Sequence, residues 1–344
     1  MQDQPIGHAL RALAEGRELG EQLTTEAFGQ LMRGDATPAQ AAALLMGLRM
    51  RGETADEVTG AARALREAMV RVTLQSPEPV IDTCGTGGGT VSTFNVSTAA
   101  ALVVVGGGGK VAKHGNRSYT SRCGSADVIE ALGIAVSADA ETAGRVLAAA
   151  GMAFLFAPAY HPAMRFVAPV RRELGVATIM NVIGPLANPA GVRRQVVGVA
   201  DRRRGPILAE ALQRLGAEHA LVVHAAVGMD EISPTGTTEV WEVRDGDVRT
   251  WILDPSRYGI DPCDVAGLAG GEPDANAARV VRLLEDPGAD AVGRATVLLN
   301  AAAGLYVAGL AKDLKEGLER ASAALESGAA AQALERLRRE ASTS

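Results

Sequence analysis

The sequence predicts an α/β protein: a small all-helical N-terminal unit followed by a larger unit built on a mostly parallel central sheet. Three observations predict it. The first seventy or so residues carry helical periodicity and helix punctuation. From residue 80 onward, short apolar runs alternate with helix-length stretches, the pattern of parallel strands joined by crossover helices. At 344 residues, 47% of them hydrophobic and 22% charged, the chain is long enough for such a sheet and one further unit.

Each element follows from local chemistry. "TTEAFGQLMRGD" opens on hydroxyls suited to an N-cap and ends at Gly34. "TPAQAAALLMGLRMRG" has Thr37 as cap, Pro38 at the first helical position and Gly52 as stop. Its small apolar surface, Ala41 to Leu48, suits its own core or a partner subunit equally. "TADEVTGAARALREAM" opens with a capping box of Thr54 and Glu57, and Val58, Ala61, Ala62, Leu65 and Met69 share one face. "VIDTCG" is then a strand that delivers four glycines within residues 85–89. "NVSTAAALVVV" is a helix, "GKVAKHG" a strand, and "SADVIEALG" a helix capped by Ser125 and stopped by Gly133. A further helix, "ETAGRVLAAAG", and strand, "MAFLFAP", follow. "HPAMRFVAPVRRELG" interrupts the alternation with helical spacing, and "NVIGPLANPAG" is a proline-rich turn. "HALVVHA" is again a strand, "VGMDEISPTG" a loop, and "TEVWEVRDGDVRTWIL" a hairpin turning at Asp245-Gly246. From Asn276 the chain is mostly alanine- and leucine-rich helix.

Bulk properties exclude several classes. A net charge of −6 argues against a general nucleic-acid binder. Cys84, Cys123 and Cys263 are widely spaced, which fits free thiols in a reducing compartment and opposes a disulfide framework or a zinc site. The most apolar run, "AAALVVVG", is far short of the ~20 residues of a membrane span. The expectation is a soluble cytoplasmic protein.

Four stretches carry chemistry. Gly85, Thr86, Gly87 and Gly88, with Asn95, Ser97 and Thr98, read either as a phosphate cradle at a helix start or as a tight strand-to-helix turn. "KHGNRSYTS", Lys113 to Ser121, supplies a point charge, an orienting Asn116 and Arg117, and hydroxyls at Ser118, Thr120 and Ser121; the plain alternative is a polar loop. His114 in it is a general base or a structural hydrogen-bond partner. Asp230 and Glu231 are a solvated pair or, beside a polyphosphate, holders of Mg²⁺, with Ser97 as a further oxygen. Arg171 offers a forked donor to a carboxylate, or is an exposed helix arginine.

Taken in order, "GTGG…TFNVSTA", "VAKHGNRS…GSADVIEALG", "HPAMRFVAPVRRELGVATIMNVIGPLANP" and "GMDEISPTG" closely resemble the anthranilate phosphoribosyltransferase family of tryptophan biosynthesis, over nearly the whole chain. The resemblance implies a nucleoside phosphorylase/phosphoribosyltransferase-like fold. Residues 1–73 with about 165–190 would form the helical domain, and 74–164 with 191–344 the α/β domain. It implies transfer of phosphoribose from phosphoribosyl pyrophosphate (PRPP) to the amine of anthranilate, with pyrophosphate released. PRPP contacts would come from Gly85, Gly88, Gly89, Thr93, Asn95, Val96, Ser97, Thr98, the run Lys113, His114, Gly115, Asn116, Arg117, Ser118, Tyr119, Thr120 and Ser121, and Ser125. Ser97, Asp230 and Glu231 would hold Mg²⁺, two ions in all. Gly85, Asn116 and Arg171 would contact anthranilate, and the chain would pair as a homodimer through its helical domains. No general base is required, because the amine brings its own lone pair. One position departs: the family usually has aspartate directly after GTGG, and this chain has Gly89. Other uses of the architecture are a pyrimidine nucleoside phosphorylase, opposed by the KHGNRS and GPLANP segments, and a non-catalytic nucleic-acid binder, opposed by the acidic balance.

Overall fold

Helix ends in the opening unit follow from local sequence, with one exception. The computed structural model describes residues 4–75, 78–118 and 122–342. Four helices come first: α1 (Pro5–Ala14), α2 (Gly20–Arg33), α3 (Pro38–Arg51) and α4 (Ala55–Glu67). Thr37 and Thr54 cap α3 and α4 through reciprocal boxes with Gln40 and Glu57. The exception is the start of α2, which lies ahead of the hydroxyls expected to cap it. Thr24 and Thr25 sit inside the helix and donate back to the Gly20 and Glu21 carbonyls at 2.7 and 2.9 Å. Glu57 of α4, fully buried, accepts the Leu19 N–H at 3.0 Å instead. That contact is distant in sequence, so no local pattern shows it. The Ala41 to Leu48 face of α3 turns inward: Ala41, Leu44, Leu45 and Leu48 are buried in the chain's own core.

Seven strands form one sheet: β1 (Val80–Gly85), β2 (Lys110–Gly115), β3 (Met152–Phe156), β4 (Arg194–Gly198), β5 (His219–Ala225), β6 (Thr238–Arg244) and β7 (Asp247–Leu253), in the order β3-β2-β1-β4-β5-β6-β7. The first five are parallel and the last two antiparallel. Asp245 and Gly246 turn the β6–β7 hairpin with φ of 53° and 84°, as expected. Strand β4 is short and opens on Arg194, directly after Arg193, which hides it from a periodicity reading.

Helices cover both faces: α5 (Val96–Gly106), α6 (Ser125–Ala131), α7 (Ala140–Ala150), α8 (Ala157–Tyr160), α9 (Ala168–Leu174), α10 (Arg204–Arg214), α11 (Pro273–Glu285), α12 (Ala291–Val307), α13 (Leu314–Glu326) and α14 (Ala329–Ser342). Two were expected otherwise. Ser125 does not cap α6; Gly124 holds the cap position, with Asp127 accepting its N–H at 2.8 Å, because Ser125 Oγ is engaged with the Asn116 backbone. The 161–175 stretch is not one helix. Prolines at 162 and 169 divide it into a 3₁₀ segment, Pro162–Phe166, and α9.

Alternation along the strands sorts the core into two layers. Ile81, Val196, Leu221 and Val223 pack with α5, α11, α12 and α14. Val197, Val199, Ala220 and Val222 face the other way, sharing a core with α1 to α4, α10 and residues 163–187. The N-terminal bundle therefore rests on one face of the sheet, and the chain returns to it after β3. No helix among the described residues is long and apolar enough to cross a membrane.

Candidate active site

The strand order places a switch point between β1 and β4: successive connections run to opposite sides of β1, leaving a crevice beyond the carboxyl ends of the strands. The glycine loop leaves β1 there and the Asp230-Glu231 loop leaves β5. The two loops are bonded together. Gly87 N donates to Asp230 Oδ2 at 2.8 Å and Thr90 N to Gly228 O at 3.0 Å. Gly87 and Gly88 adopt φ of 69° and 81°, which only glycine takes without strain. A side chain at Gly85 would put its Cβ 2.6 Å from Asp230 Oδ2, and one at Gly198, at the end of β4, would collide with the Asp230 carbonyl. Gly198 is a site residue the sequence reading missed; its only signal is a glycine closing an apolar run.

Backbone donors are distributed differently from expectation. In the first turn of α5, Val96 N donates to Phe94 O, Ser97 N to the Glu231 carboxylate, and Thr98 N to Asn95 O. Val96 is fully buried, so neither its amide nor its side chain is open to a phosphate. In the loop, Gly87 N and Thr90 N are taken by protein acceptors, whereas Gly88 N and Gly89 N meet none among the described residues. The loop thus has amides open to an anion, while the positive end of α5 is taken by Glu231.

Beneath the loop lies a buried charged group. Lys113, 1% exposed, donates to Thr83 O at 2.5 Å and Ser97 Oγ at 3.0 Å. Its ammonium is reached by the charges of Asp82 and Glu231. Asp82 accepts from Asn188 Nδ2 at 2.8 Å and His114 N at 3.3 Å. Burial, and then Asp230 beside it, push the Glu231 carboxyl up to about 8; burial also raises Asp230. Two adjacent carboxylates held this way are short of positive charge. Among the described residues no cluster of three or more His, Cys, Asp or Glu gathers. A cation here would complete its shell from water and substrate oxygens, which is how Mg²⁺ prefers to bind. The orphaned, fully buried Thr98 Oγ1 is a further polar atom in want of a partner.

Four more of the expected contact residues have protein partners of their own. The His114 ring is buried, its Nε2 3.2 Å from His161 Nε2, which is the structural role. Arg117 is committed to α6, donating to Asp127 and Glu130 at 2.8 and 2.6 Å. Gly115 packs where a side chain would strike Ser125 Oγ and the Phe154 ring. Thr93 pairs with Ala269 in an isolated bridge. Asn116 is exposed at the cleft and Ser118 half-buried beside it. Arg171 is half-buried on α9. Tyr119, Thr120 and Ser121 lie outside the described residues. Cys84, Cys123 and Cys263 are free thiols.

Burial pulls the His114 ring down to about 3, helped by His161, and His161 to about 4. Both stay neutral in the fold, one donating and one accepting. An unfolded histidine titrates near about 6.5, so the pair's contribution to stability is complete above that pH and is lost as pH falls through 6.5 toward 4. His161→Gln is therefore expected to cost most at pH 7.5. Thermal melts of both proteins should converge as the pH is lowered to 5.

The profile of the glycosyl transferase family helical bundle domain matches residues 8–69, and that of the glycosyl transferase family a/b domain matches residues 77–331. The anthranilate phosphoribosyltransferase of Pelotomaculum thermopropionicum is 49% identical over 333 residues, 96% of this chain and 95% of that one. The chain belongs to the anthranilate phosphoribosyltransferase family. The crystal structure of the family's enzyme from Thermus thermophilus superposes with a TM-score of 0.90 at 43% identity, covering 97% of this chain and 99% of that one. The Saccharomyces cerevisiae member in complex with PRPP and Mg superposes with a TM-score of 0.89 at 28% identity, over 98% of both chains. This member of the family is a phosphoribosyltransferase with the helical-plus-α/β fold expected of it.

Gly89, where the resemblance implies an aspartate, is tight. A Cβ there would stand 2.8 Å from Gly228 O and 3.6 Å from Asp230 Oδ1. In Gly89→Asp the loop must lift slightly, at a cost of about 1–3 kcal/mol, and a third carboxylate joins the pair. The Mg²⁺ concentration giving half-maximal rate is expected to fall; a magnesium titration of both proteins measures it, and identical curves would refute the role.

Proposed function

We propose that this chain transfers the 5-phosphoribosyl group of PRPP to the amino group of anthranilate, with Mg²⁺, giving N-(5-phosphoribosyl)anthranilate and pyrophosphate in L-tryptophan biosynthesis. One observation carries the reading: the fold brings the Asp230-Glu231 carboxylates against the glycine loop at the sheet's switch point. A net-acidic protein binding a polyphosphate there needs a cation, and this is where one fits.

The donor's phosphates would meet the Gly88 and Gly89 amides, the Asn95 side chain, the Ser97 hydroxyl, and Asn116, Ser118 and Ser125. Ser97, Asp230 and Glu231 would hold the magnesium, two ions in all, with Lys113 steadying Ser97 from below. When bound, Mg²⁺ neutralises charge on the departing pyrophosphate. As the bond at ribose C1 breaks, the sugar gains positive charge and the leaving group negative charge, which the loop amides and hydroxyls stabilise. Anthranilate would be oriented by Gly85, Asn116 and Arg171, the guanidinium meeting its carboxylate. The aromatic amine attacks with its own lone pair, so the site positions it and needs no base.

The shared core of α1 to α4 with residues 163–187 supports a helical domain of 1–73 with about 165–190, and an α/β domain of 74–164 with 191–344. The acceptor would enter between them. A cytoplasmic homodimer joined through the helical domains completes the reading.

The test is to mix protein, Mg²⁺, PRPP and anthranilate and follow anthranilate fluorescence. PRPP-dependent loss of signal is expected. A folded protein showing none refutes the activity.

A further inference from the structure

We infer that Asn276 is a positioning residue for the donor site: it holds the Asn95 amide with its nitrogen, and not its oxygen, available to the donor phosphates. The inference rests on the reading of Asn95 as a PRPP contact. It begins from a backbone N–H, which can only donate. Gly271 N donates to Asn276 Oδ1 at 2.8 Å. The other end of that amide, Nδ2, is therefore the atom that faces Asn95, 3.0 Å away. Since an amide nitrogen only donates, the atom it meets must be Asn95 Oδ1. Cys123 Sγ converges on the same oxygen at 3.3 Å.

The orientation of Asn95 is thus dictated from α11, on the far side of the loop. Asparagine before a helix usually turns its oxygen onto the first-turn amides. Here Asn95 makes no such cap, because its oxygen is drawn off to Asn276 and Cys123. Among the described residues its nitrogen has only a long contact, 3.5 Å to Cys123 O, and the residue is half-exposed beside the cleft. A free N–H donor is what an anion needs. Asn276 itself is well anchored: it is 4% exposed, and the segment before it is tied to the loop by Phe94 N donating to Leu268 O at 2.9 Å. Arg279, one turn on, stacks over the Phe94 ring at 4.2 Å. No local pattern in the sequence marks Asn276.

Asn276→Asp and Asn276→Ala separate orientation from packing. The aspartate still accepts from Gly271 but cannot donate, so Asn95 must turn over and present an oxygen to the phosphates. Alanine merely releases Asn95. Calorimetry with PRPP and Mg²⁺ on the full chain is expected to show PRPP binding weakened about tenfold by aspartate and about threefold by alanine, with KM for PRPP following and KM for anthranilate unchanged. A packing role predicts the reverse order, since aspartate is the closer isostere. Asn95→Asp provides a second arm: it keeps an acceptor facing Asn276 and loses its donor, so it should weaken PRPP binding as Asn276→Asp does. Unaltered PRPP binding in either aspartate variant, or alanine at least as damaging as aspartate at position 276, overturns the inference. Failure of the unaltered protein to bind PRPP overturns instead the donor-site reading on which it stands.

Discussion

Asp230→Asn is expected to lower the rate of anthranilate consumption about a thousandfold, equivalent to about 4 kcal/mol of transition-state stabilisation. The substitution is nearly isosteric, and its amide oxygen can still accept the Gly87 N–H that Asp230 holds at 2.8 Å. What disappears is one of two carboxylates that would hold magnesium against the leaving pyrophosphate. The fold should not suffer. Burial already disfavours the charged form of Asp230, and its charge raises Glu231 beside it. Removing that repulsion leaves the melting temperature unchanged or higher in the absence of ligand. Activity lost with the melt preserved is the signature of a residue kept for chemistry. A variant that turns over normally would remove the pair from the mechanism.

Lys113→Met should show the opposite pattern, a loss of stability of about 3–5 kcal/mol, read by denaturant unfolding. The Lys113 side chain is surrounded by protein, and its ammonium is the cation within reach of Asp82 and Glu231. Burial lowers its affinity for a proton while those two acids raise it. Methionine fills the volume but leaves Asp82 with neutral partners alone, among them the Asn188 amide and the His114 and Thr83 N–H groups. An uncompensated buried carboxylate is the expensive outcome. Adding Asp82→Asn should therefore recover part of the loss, and a double variant as unstable as the single would show that the ion pairing is not what Lys113 supplies. Activity should fall as well, because Ser97 Oγ loses the donor that fixes it.

The sequence is legible where structure is local. The cap at Thr37, the capping box at Thr54, the Asp245-Gly246 turn, and the apolar strands before the glycine loop and the Asp230 loop all stand as read. Each depends on residues within a few positions of one another. The misreadings concern contacts that arrive from elsewhere. Thr24 has the chemistry of a cap, but it lies inside α2 and donates back to the Gly20 carbonyl, while Glu57 takes the Leu19 N–H. Ser125 has it too, but Asn116 occupies its hydroxyl. Arg117 and His114 have the chemistry of ligand contacts, but Glu130 and His161 claim them.

By itself, then, the order of residues determined the fold class, the family and the identity of the chemical groups, because helix punctuation, strand patterning and long motifs are properties of contiguous chain. Only the tertiary structure decided which of those groups meet. Asp230 reaches Gly87 across 143 positions and Asn276 reaches Asn95 across 181. Such contacts follow from strand order and from helices packing across the sheet, and a side chain's direction is set by whichever distant donor or acceptor the fold brings to it.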